Sequence, residues 1–585
     1  MISPSRRSST RRIVWECLAL LVGVQPALAP AGDAYDLLIS GGMIYDGSGR
    51  APFVGDVAIQ GDQIVYVGEH APQRAARRVI RAKGLAVAPG FINMLAHPEE
   101  SLIADGRALS DLRQGVTLEV LGEDSMGPLT PDMQRAIVKR QSDIKFPVNW
   151  STLDGYLRML EAKGIAPNVA SFVGAGTVRT NLLGERDIQP TPVQLEAMRG
   201  LVQQAMEEGA LGVTTALIYS PNEYAKTPEL IALATESARC GGIYIAHMRS
   251  EGDRLLEGAE ETIEIAKASG APAEIYHLKQ AGKDNWQKLG PLIAKIESAR
   301  SAGVRITADI YPYTAAATGL DAAMPPWVQD GGLEMWISRL HDPAVRARVI
   351  REMREKPKDW ENAYRAAGAD GTLLLGFKTS KLKPLTGATL AEVARMRGVS
   401  PEDAAIDLVI EDGSRIEVAY TLMNEDNLRR EVALPWVSFG SDEAAPAPEG
   451  VFLLAHPHPR AYGTFARLFA KYVREEHVIS VQEAVRKLTS LPADNLSIKD
   501  RGRLAIRHYA DVVIFDPASI QDHSTFQSPH QLATGVLHVI INGRLALEDG
   551  RPSGIATGQV VRGRAWTGNS GGGCKAKPAD WIWSK

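Results

Sequence analysis

From about residue 34 the chain reads as short runs of Ile, Val, Leu and Tyr broken by Gly and Asp: "YDLLISGGMIYDGSG", "GDVAIQGDQIVYVGE" and "RRVIRAKGLAVAPG". Runs of this length, rich in β-branched and aromatic residues and punctuated by turn formers, predict hairpin strands. The same texture returns near the other end in "ADVVIFDPASI" and "GVLHVIINGRLALEDGR". Two strand-rich ends around a different middle predict one small β-sandwich domain assembled from residues 34–88 and 500–565. In the middle the strand candidates are "LAVAPGFINML", "GVTLEVLGE", "NVASFVGAG", "LGVTTALIY", "GIYIAHMR", "AEIYHLK", "VRITADIYPY" and "PWVSFGSD". Most are separated by stretches with helical periodicity, such as "PVQLEAMRGLVQQAMEEGA" and "RLLEGAEETIEIAKASG". Eight such units predict an α/β fold, a (β/α)8 TIM-type barrel over residues 89–499. The seventh and eighth strands stand far apart, with roughly residues 315–434 between them, far more than one crossover helix requires. An insertion of that size before the last strand, over a barrel mouth, is a candidate lid. The Gly-rich stretch 566–585 reads as a disordered tail.

Composition adds little to this picture except at the N-terminus. A chain of 585 residues, 45% hydrophobic and 23% charged, has an ordinary globular make-up and can bury a large core. Residues 1–29 stand apart. Arg6, Arg7, Arg11 and Arg12 precede the short apolar run "IVWECLALLVGV", and "ALA" closes the segment at Ala29. That is the layout of a cleavable signal peptide, too short to anchor in a bilayer, and it predicts a periplasmic or secreted protein. The arginine pair in "SRRSS" leaves twin-arginine export open. The formal net charge is −4, and removal of the four arginines against one acid, Glu16, makes the mature chain more acidic. No basic block stands out, which argues against nucleic acid or an anionic membrane as partner. Of three cysteines, Cys17 lies in the signal and Cys574 in the tail, leaving Cys240 without an obvious mate. The fold is therefore expected not to depend on disulfides.

Chemistry in a barrel of this kind sits at the C-terminal ends of the strands. His247 in "IYIAHMR" and His277 in "AEIYHLK" are each the fifth residue of their run and lie thirty residues apart, about one repeat. Equivalent places in adjacent repeats bring both imidazoles to one layer at the mouth, which predicts metal binding. In "GVTLEVLGED", strand alternation puts Glu119, Leu121 and Glu123 on one face. Glu123 at the mouth end completes a set of two imidazoles and one carboxylate, a known zinc arrangement with a position left for water. Asp124 is the rival ligand. Asp442 closes the last strand after Gly440, placed to bind metal or to take a proton; the plainer alternative is a helix N-cap.

Taken in order, "APGFI", "RQGVTLEV", "AHMRSEGD", "IYHLKQAG", "DIYPYTA", "FGSD", "HPHPRAYGTFARLFAKYVREE", "ADVVIFDP" and "IINGR" resemble the amidohydrolase superfamily. Within it they are most similar to the N-acyl-D-amino-acid deacylase (D-aminoacylase) family, from about Asp36 to Arg562. The resemblance implies a metal-activated water attacking an amide carbonyl, with His247 and His277 as ligands of the tighter site and Asp442 as acid/base. The Cys that the second strand ordinarily supplies falls on Asp124, with Glu123 just before it. Lys279, Tyr311 or Tyr313 match positions suited to a substrate α-carboxylate, and Arg460 in "HPHPR" is a further candidate anion contact.

One departure changes what the resemblance implies. After "PGFI" an Asp and two His usually follow, but here Asn93 and Leu95 replace the Asp and first His, leaving His97. The second, looser metal loses a ligand, so one tightly held Zn2+ is expected, with His97 orienting water or substrate. The expected activity is deacylation of a small-molecule N-acyl-D-amino acid. Cyclic-amide or dipeptide hydrolysis on the same barrel is the alternative enzyme, and a non-catalytic binding protein on a degenerate barrel the alternative class.

Overall fold

Alternation of apolar and polar residues in a strand buries one face, whereas an unbroken apolar run is buried on both. The computed structural model, which describes residues 34–568 and Cys574, has strands of both burial types. The predicted signal at 1–29 and most of the predicted tail lie outside the described residues. Strands β1 (Tyr35–Ile44), β2 (Phe53–Gln60), β3 (Gln63–Gly68), β4 (Ala76–Arg81) and β5 (Ala86–Pro89) come first. In β1 buried and part-exposed residues alternate over most of the length. Then follow β6 (Phe91–Ala96), β7 (Val116–Leu121), β8 (Asn168–Ser171), β9 (Val173–Gly174), β10 (Gly212–Ala216), β11 (Ile243–His247), β12 (Ala273–Ile275) and β13 (Ile306–Ile310). Every residue of β6 to β13 is buried. After them come β14 (Ala315–Gly319), β15 (Thr372–Gly376), β16 (Glu417–Thr421), β17 (Val437–Phe439), β18 (Val512–Phe515), β19 (Val536–Ile541), β20 (Arg544–Glu548) and β21 (Arg551–Pro552).

The first and last of these join into one nine-stranded sheet, in the order β21-β20-β19-β18-β5-β1-β2-β3, with β4 on β1. Its two halves meet where β18 pairs antiparallel with β5, Val513 opposite Ala88. The middle strands form two parallel sheets, β6-β7-β8 and β17-β13-β12-β11-β10-β9. They abut along two seams. On one, β8 runs into β9 and the Leu211 N–H donates to Ser171 at 2.9 Å. On the other, the Asp442 N–H donates to the Leu95 carbonyl at 2.8 Å and the His97 N–H to Glu443 at 2.9 Å. Gly440 makes the second seam possible, because a Cβ there would lie 2.6 Å from the Leu95 backbone nitrogen. The result is an α/β fold in which all eight strand candidates of the middle form strands, the first divided between β5 and β6 and the third between β8 and β9.

The helices outside these sheets follow from local signals. Helix Pro192–Glu207 starts with a capping box between Thr191 and Gln194 and a Pro in its first turn. It buries Met198, Val202, Ala205 and Met206, a stripe at helical spacing. Helix Leu255–Ser269 ends at Gly270, whose φ of 73° is the left-handed stop that a side chain disfavours.

Two features differ from the sequence reading. Residues 315–434 contain an antiparallel sheet, β14-β16-β15, besides helices, and have a core of their own around Trp336, Leu374, Val418 and Tyr420. The run "AAATG" carries little β propensity, so its pairing with "EVAYT" rather than its residue types makes it a strand. The second difference corrects the cysteine expectation: buried Cys240 is disulfide-bonded to Cys574 across 334 residues of sequence. Its mate sits in an aperiodic Gly-rich stretch, where no local pattern announces a partner.

Candidate active site

Four ends of parallel strands carry the site. His247 is the last residue of β11, and His277 follows β12 by two residues. Glu123 follows β7, and Asp442 follows β17. Three of these four have left-handed backbones: Glu123 at φ 65°, His277 at 33° and Asp442 at 53°. Such conformations cost on the order of 1–3 kcal/mol each and persist where the surroundings impose them, typically at functional sites.

The turn at Glu123 settles the choice of carboxylate beside the imidazoles. Alternation does not run from Glu119 to Glu123, because β7 stops at Leu121. The Glu123 N–H is instead bonded to Thr214 on β10 at 3.1 Å. Its Oε1 then lies 3.0 Å from His247 Nδ1 and 3.0 Å from His277 Nε2. Asp124, the alternative, packs elsewhere, held by Asn222; burial pushes its carboxyl up to about 6. Burial alone would push the Glu123 carboxyl up as well, yet bonds to the two imidazoles hold it well below the usual range.

His97 stands opposite, with Nε2 3.1 Å from Asp442 Oδ1 and 3.9 Å from Glu123 Oε2. The Asp442 Oδ2 accepts from Arg460 Nη1 at 2.6 Å. Burial opposes the charge on Asp442, but Arg460, His277 and the His97 bond hold its carboxyl down at about 2. The expected N-cap alternative for Asp442 falls away, since no helix begins at that point. Leu95 is fully buried among apolar neighbours that include Tyr276, and it offers no donor to the site.

Outside the imidazoles lies a carboxylate that sequence reasoning missed. Glu251, in "RSEGD", accepts from Lys279 Nζ at 2.8 and 3.0 Å. Its Oε1 is 3.0 Å from His277 Nδ1 and its Oε2 3.7 Å from His247 Nε2. Nε2 of His277 is the nitrogen that faces Glu123, and Nδ1 lies toward Glu251 and Lys279. Lys279, expected at the substrate carboxylate, is thus engaged with Glu251 and lies 2.6 Å from His277 Nδ1. The Glu251 and Gly252 N–H groups are held at 2.5 and 3.1 Å by Glu361, from the segment between β14 and β17. The only sequence mark of Glu251 is its place four residues after His247.

The two tyrosines separate. Tyr311 is buried with its hydroxyl unpartnered, and the Arg460 guanidinium lies 4.5 Å from its ring centre. Tyr313 turns away: its hydroxyl donates to the Pro459 carbonyl at 3.4 Å and its ring carries Arg467 at 4.8 Å. It packs at the edge of the site and does not face it. Tyr219, also missed, places its ring edge-on to His247 at 5.2 Å, and Arg415 lies over that ring at 5.1 Å.

Among the described residues, two groups of donors converge closely enough to hold a cation, Glu123–His247–His277 and His97–Glu123–Asp442, each with its ligand atoms within 4.8 Å of one another. The first fits a metal well. It is buried, and it combines two imidazoles with one carboxylate. The second shares Glu123 with the first.

The amidohydrolase family model matches residues 78–546. The chain belongs to the amidohydrolase family. An N-acyl-D-glutamate deacylase of Alcaligenes xylosoxydans xylosoxydans is 30% identical over 531 residues, spanning 90% of this chain and 96% of that protein. A crystal structure of D-aminoacylase superposes with a TM-score of 0.76 at 29% identity, covering 90% of this chain and 100% of that one. An N-acyl-D-glutamate deacylase from Bordetella bronchiseptica, in complex with zinc and a phosphonate inhibitor, gives a TM-score of 0.73 at 27% identity over 91% of this chain and 100% of that one. This amidohydrolase therefore shares both length and fold with deacylases of N-acyl-D-amino acids.

Proposed function

We propose that this protein is a metal-dependent amide hydrolase that deacylates N-acyl-D-amino acids. The observation that carries the reading is the meeting of Glu123 Oε1 with His247 and His277 at 3.0 Å each, facing Asp442. In this reading the two parallel sheets form a (β/α)8 barrel, closed along the seams at Ser171–Leu211 and Leu95–Asp442. Residues 34–88 and 500–565 form the accompanying β-domain, and 315–434 the segment over the mouth.

Glu123, His247 and His277 would hold the principal ion, and their donor chemistry suits Zn2+. When bound, the ion polarises the amide carbonyl and makes a water acidic enough to attack it. Asp442 takes the proton of that water through Oδ1, the oxygen that Arg460 leaves free, and passes it to the departing nitrogen. The new C–O bond gives the carboxylic acid, and the broken C–N bond releases the amine with that proton. Arg460 keeps Asp442 ionised and fixed, and His97 turns the same carboxylate from the other side.

The buried Tyr311 hydroxyl and the Lys279 ammonium supply donors for the substrate α-carboxylate, with Lys279 sharing its bonds between Glu251 and the substrate. With Leu95 at the fourth place, His97, Glu123 and Asp442 give a second ion too few ligands for tight binding. The signal-like residues 1–29 support a periplasmic or secreted site of action. His277→Ala should lose metal and turnover together, whereas Asp442→Asn should keep the metal and lose most turnover. Full metal content in His277→Ala, or full turnover in Asp442→Asn, would sink the assignment.

A further inference from the structure

Of the two first-strand residues that depart from the family pattern, Asn93 does not point at the metal-ligand groups. Asn93 is fully buried and reaches from β6 to the turn that follows β17. Its Oδ1 accepts the Ser441 N–H at 2.7 Å, and its Nδ2 donates to the Ser441 hydroxyl at 2.8 Å. A backbone N–H can only donate, which fixes the orientation of the amide. The remaining Nδ2 proton goes to Glu119 Oε2 at 2.9 Å, with Asp111 behind at 3.5 Å. The next residue after Ser441 is Asp442, whose own N–H is tied to the Leu95 carbonyl at 2.8 Å and whose φ is 53°. Gly440 on the other side leaves no room for movement toward β6. The strained backbone of the acid/base is thus gripped on both flanks by β6, once through the Asn93 side chain and once through the Leu95 main chain.

We propose that Asn93 is a positioning residue for Asp442, its amide clamping Ser441 so that the neighbouring carboxylate is held at the angle proton transfer requires. The proposal rests on the reading of Asp442 as acid/base. The amide is the right group for the place. An ionised Asp, the residue usual at this point, accepts but cannot donate, so it would hold Ser441 only as an acceptor and would offer Glu119 no proton. It would also add a third carboxylate to a dry pocket that already holds Asp111 and Glu119. The altered first strand has thereby given up a metal ligand at Leu95 and kept a role in holding the carboxylate across the seam.

The test measures kcat, KM and bound metal for metal-loaded Asn93→Ala and Asn93→Asp, each alone and combined with Asp442→Asn. A misplacement of about 1 Å costs roughly 100-fold in rate, so kcat of Asn93→Ala should fall by about that factor. Its KM and metal content should stay near wild type. Asn93→Asp, equal in size and expected to fold if Asn93→Ala does not, should show a smaller loss in the same parameter. On the Asp442→Asn background neither change should lower kcat further, because both act through the carboxylate already removed. A wild-type kcat in Asn93→Asp, or losses that multiply with that of Asp442→Asn, overturns the proposal. Full turnover in Asp442→Asn alone would overturn the acid/base reading beneath it, an outcome distinguishable from the first.

Discussion

Glu251→Gln isolates the part of the site that no metal ligand contains. Glu251 and Lys279 are each about 4% exposed at the side chain and form a bidentate pair at 2.8 and 3.0 Å. The same carboxylate meets His277 Nδ1 at 3.0 Å, within bonding reach, and His247 Nε2 at 3.7 Å, beyond it. The substitution removes the negative charge beside the ligand imidazoles and Lys279 while keeping an acceptor oxygen, an effect of about 1.5–3 kcal/mol, or roughly 10–100-fold in affinity. That agrees with the roughly 10–100-fold typical for removing an outer partner of a metal-bound His. The Lys279 ammonium, 2.6 Å from His277 and no longer neutralised, pushes in the same direction by repelling the cation. The assay is competition with a chelator at fixed pH to give the metal dissociation constant, together with KM for an N-acyl-D-amino acid. The expected result is weaker metal binding in that range with a raised KM. Metal affinity within about twofold of wild type would refute the idea that Glu251 orients these ligands.

The remaining predictions concern stoichiometry and pH. After exhaustive dialysis the protein should hold about one equivalent of metal per chain, because one complete set of two imidazoles and a carboxylate is present; two equivalents by elemental analysis would contradict the role given to Leu95. Asp111 is 1% exposed, and burial raises its carboxyl from 3.8 to about 8. The folded protein then retains a proton that the unfolded chain has released, so this group's contribution to stability is complete below pH 3.8 and is lost as pH rises toward 8. Asp111→Asn should show a shallower fall of Tm between about pH 5 and 8 than wild type; identical slopes would refute the assignment.

How much of this was legible in the sequence depends on whether a residue acts along an element or across one. The eight strand-like runs of the middle all became strands, because burial on both faces writes itself as a mostly apolar stretch, even where a buried Glu119, Glu274 or Asp309 interrupts it. His247 and His277 were legible as polar residues at the ends of adjacent strands, but the register pairs Ala246 with Ile275, so His277 stands one residue past the place facing His247 and its left-handed backbone completes the approach. Glu123 was not separable from Asp124, since a left-handed residue just past β7 redirects the side chain and no periodicity marks it. Glu251 lies in a loop and gains its meaning only from Lys279 and two imidazoles across space. Asn93 was visible as a departure, but its partner Ser441 stands 348 residues away. Cys240 and Cys574 are separated by 334, and in both cases only the tertiary fold joins the ends.

The central claim is a stereospecific amide hydrolysis, and its most direct measurement is amine release from matched N-acetyl-D- and N-acetyl-L-amino acids by the purified, metal-loaded protein. The account predicts release from one or more D-substrates, abolished by chelation and restored by Zn2+, with L-substrates untouched. Release from L-substrates alone, or from none of the panel with metal bound, would contradict it.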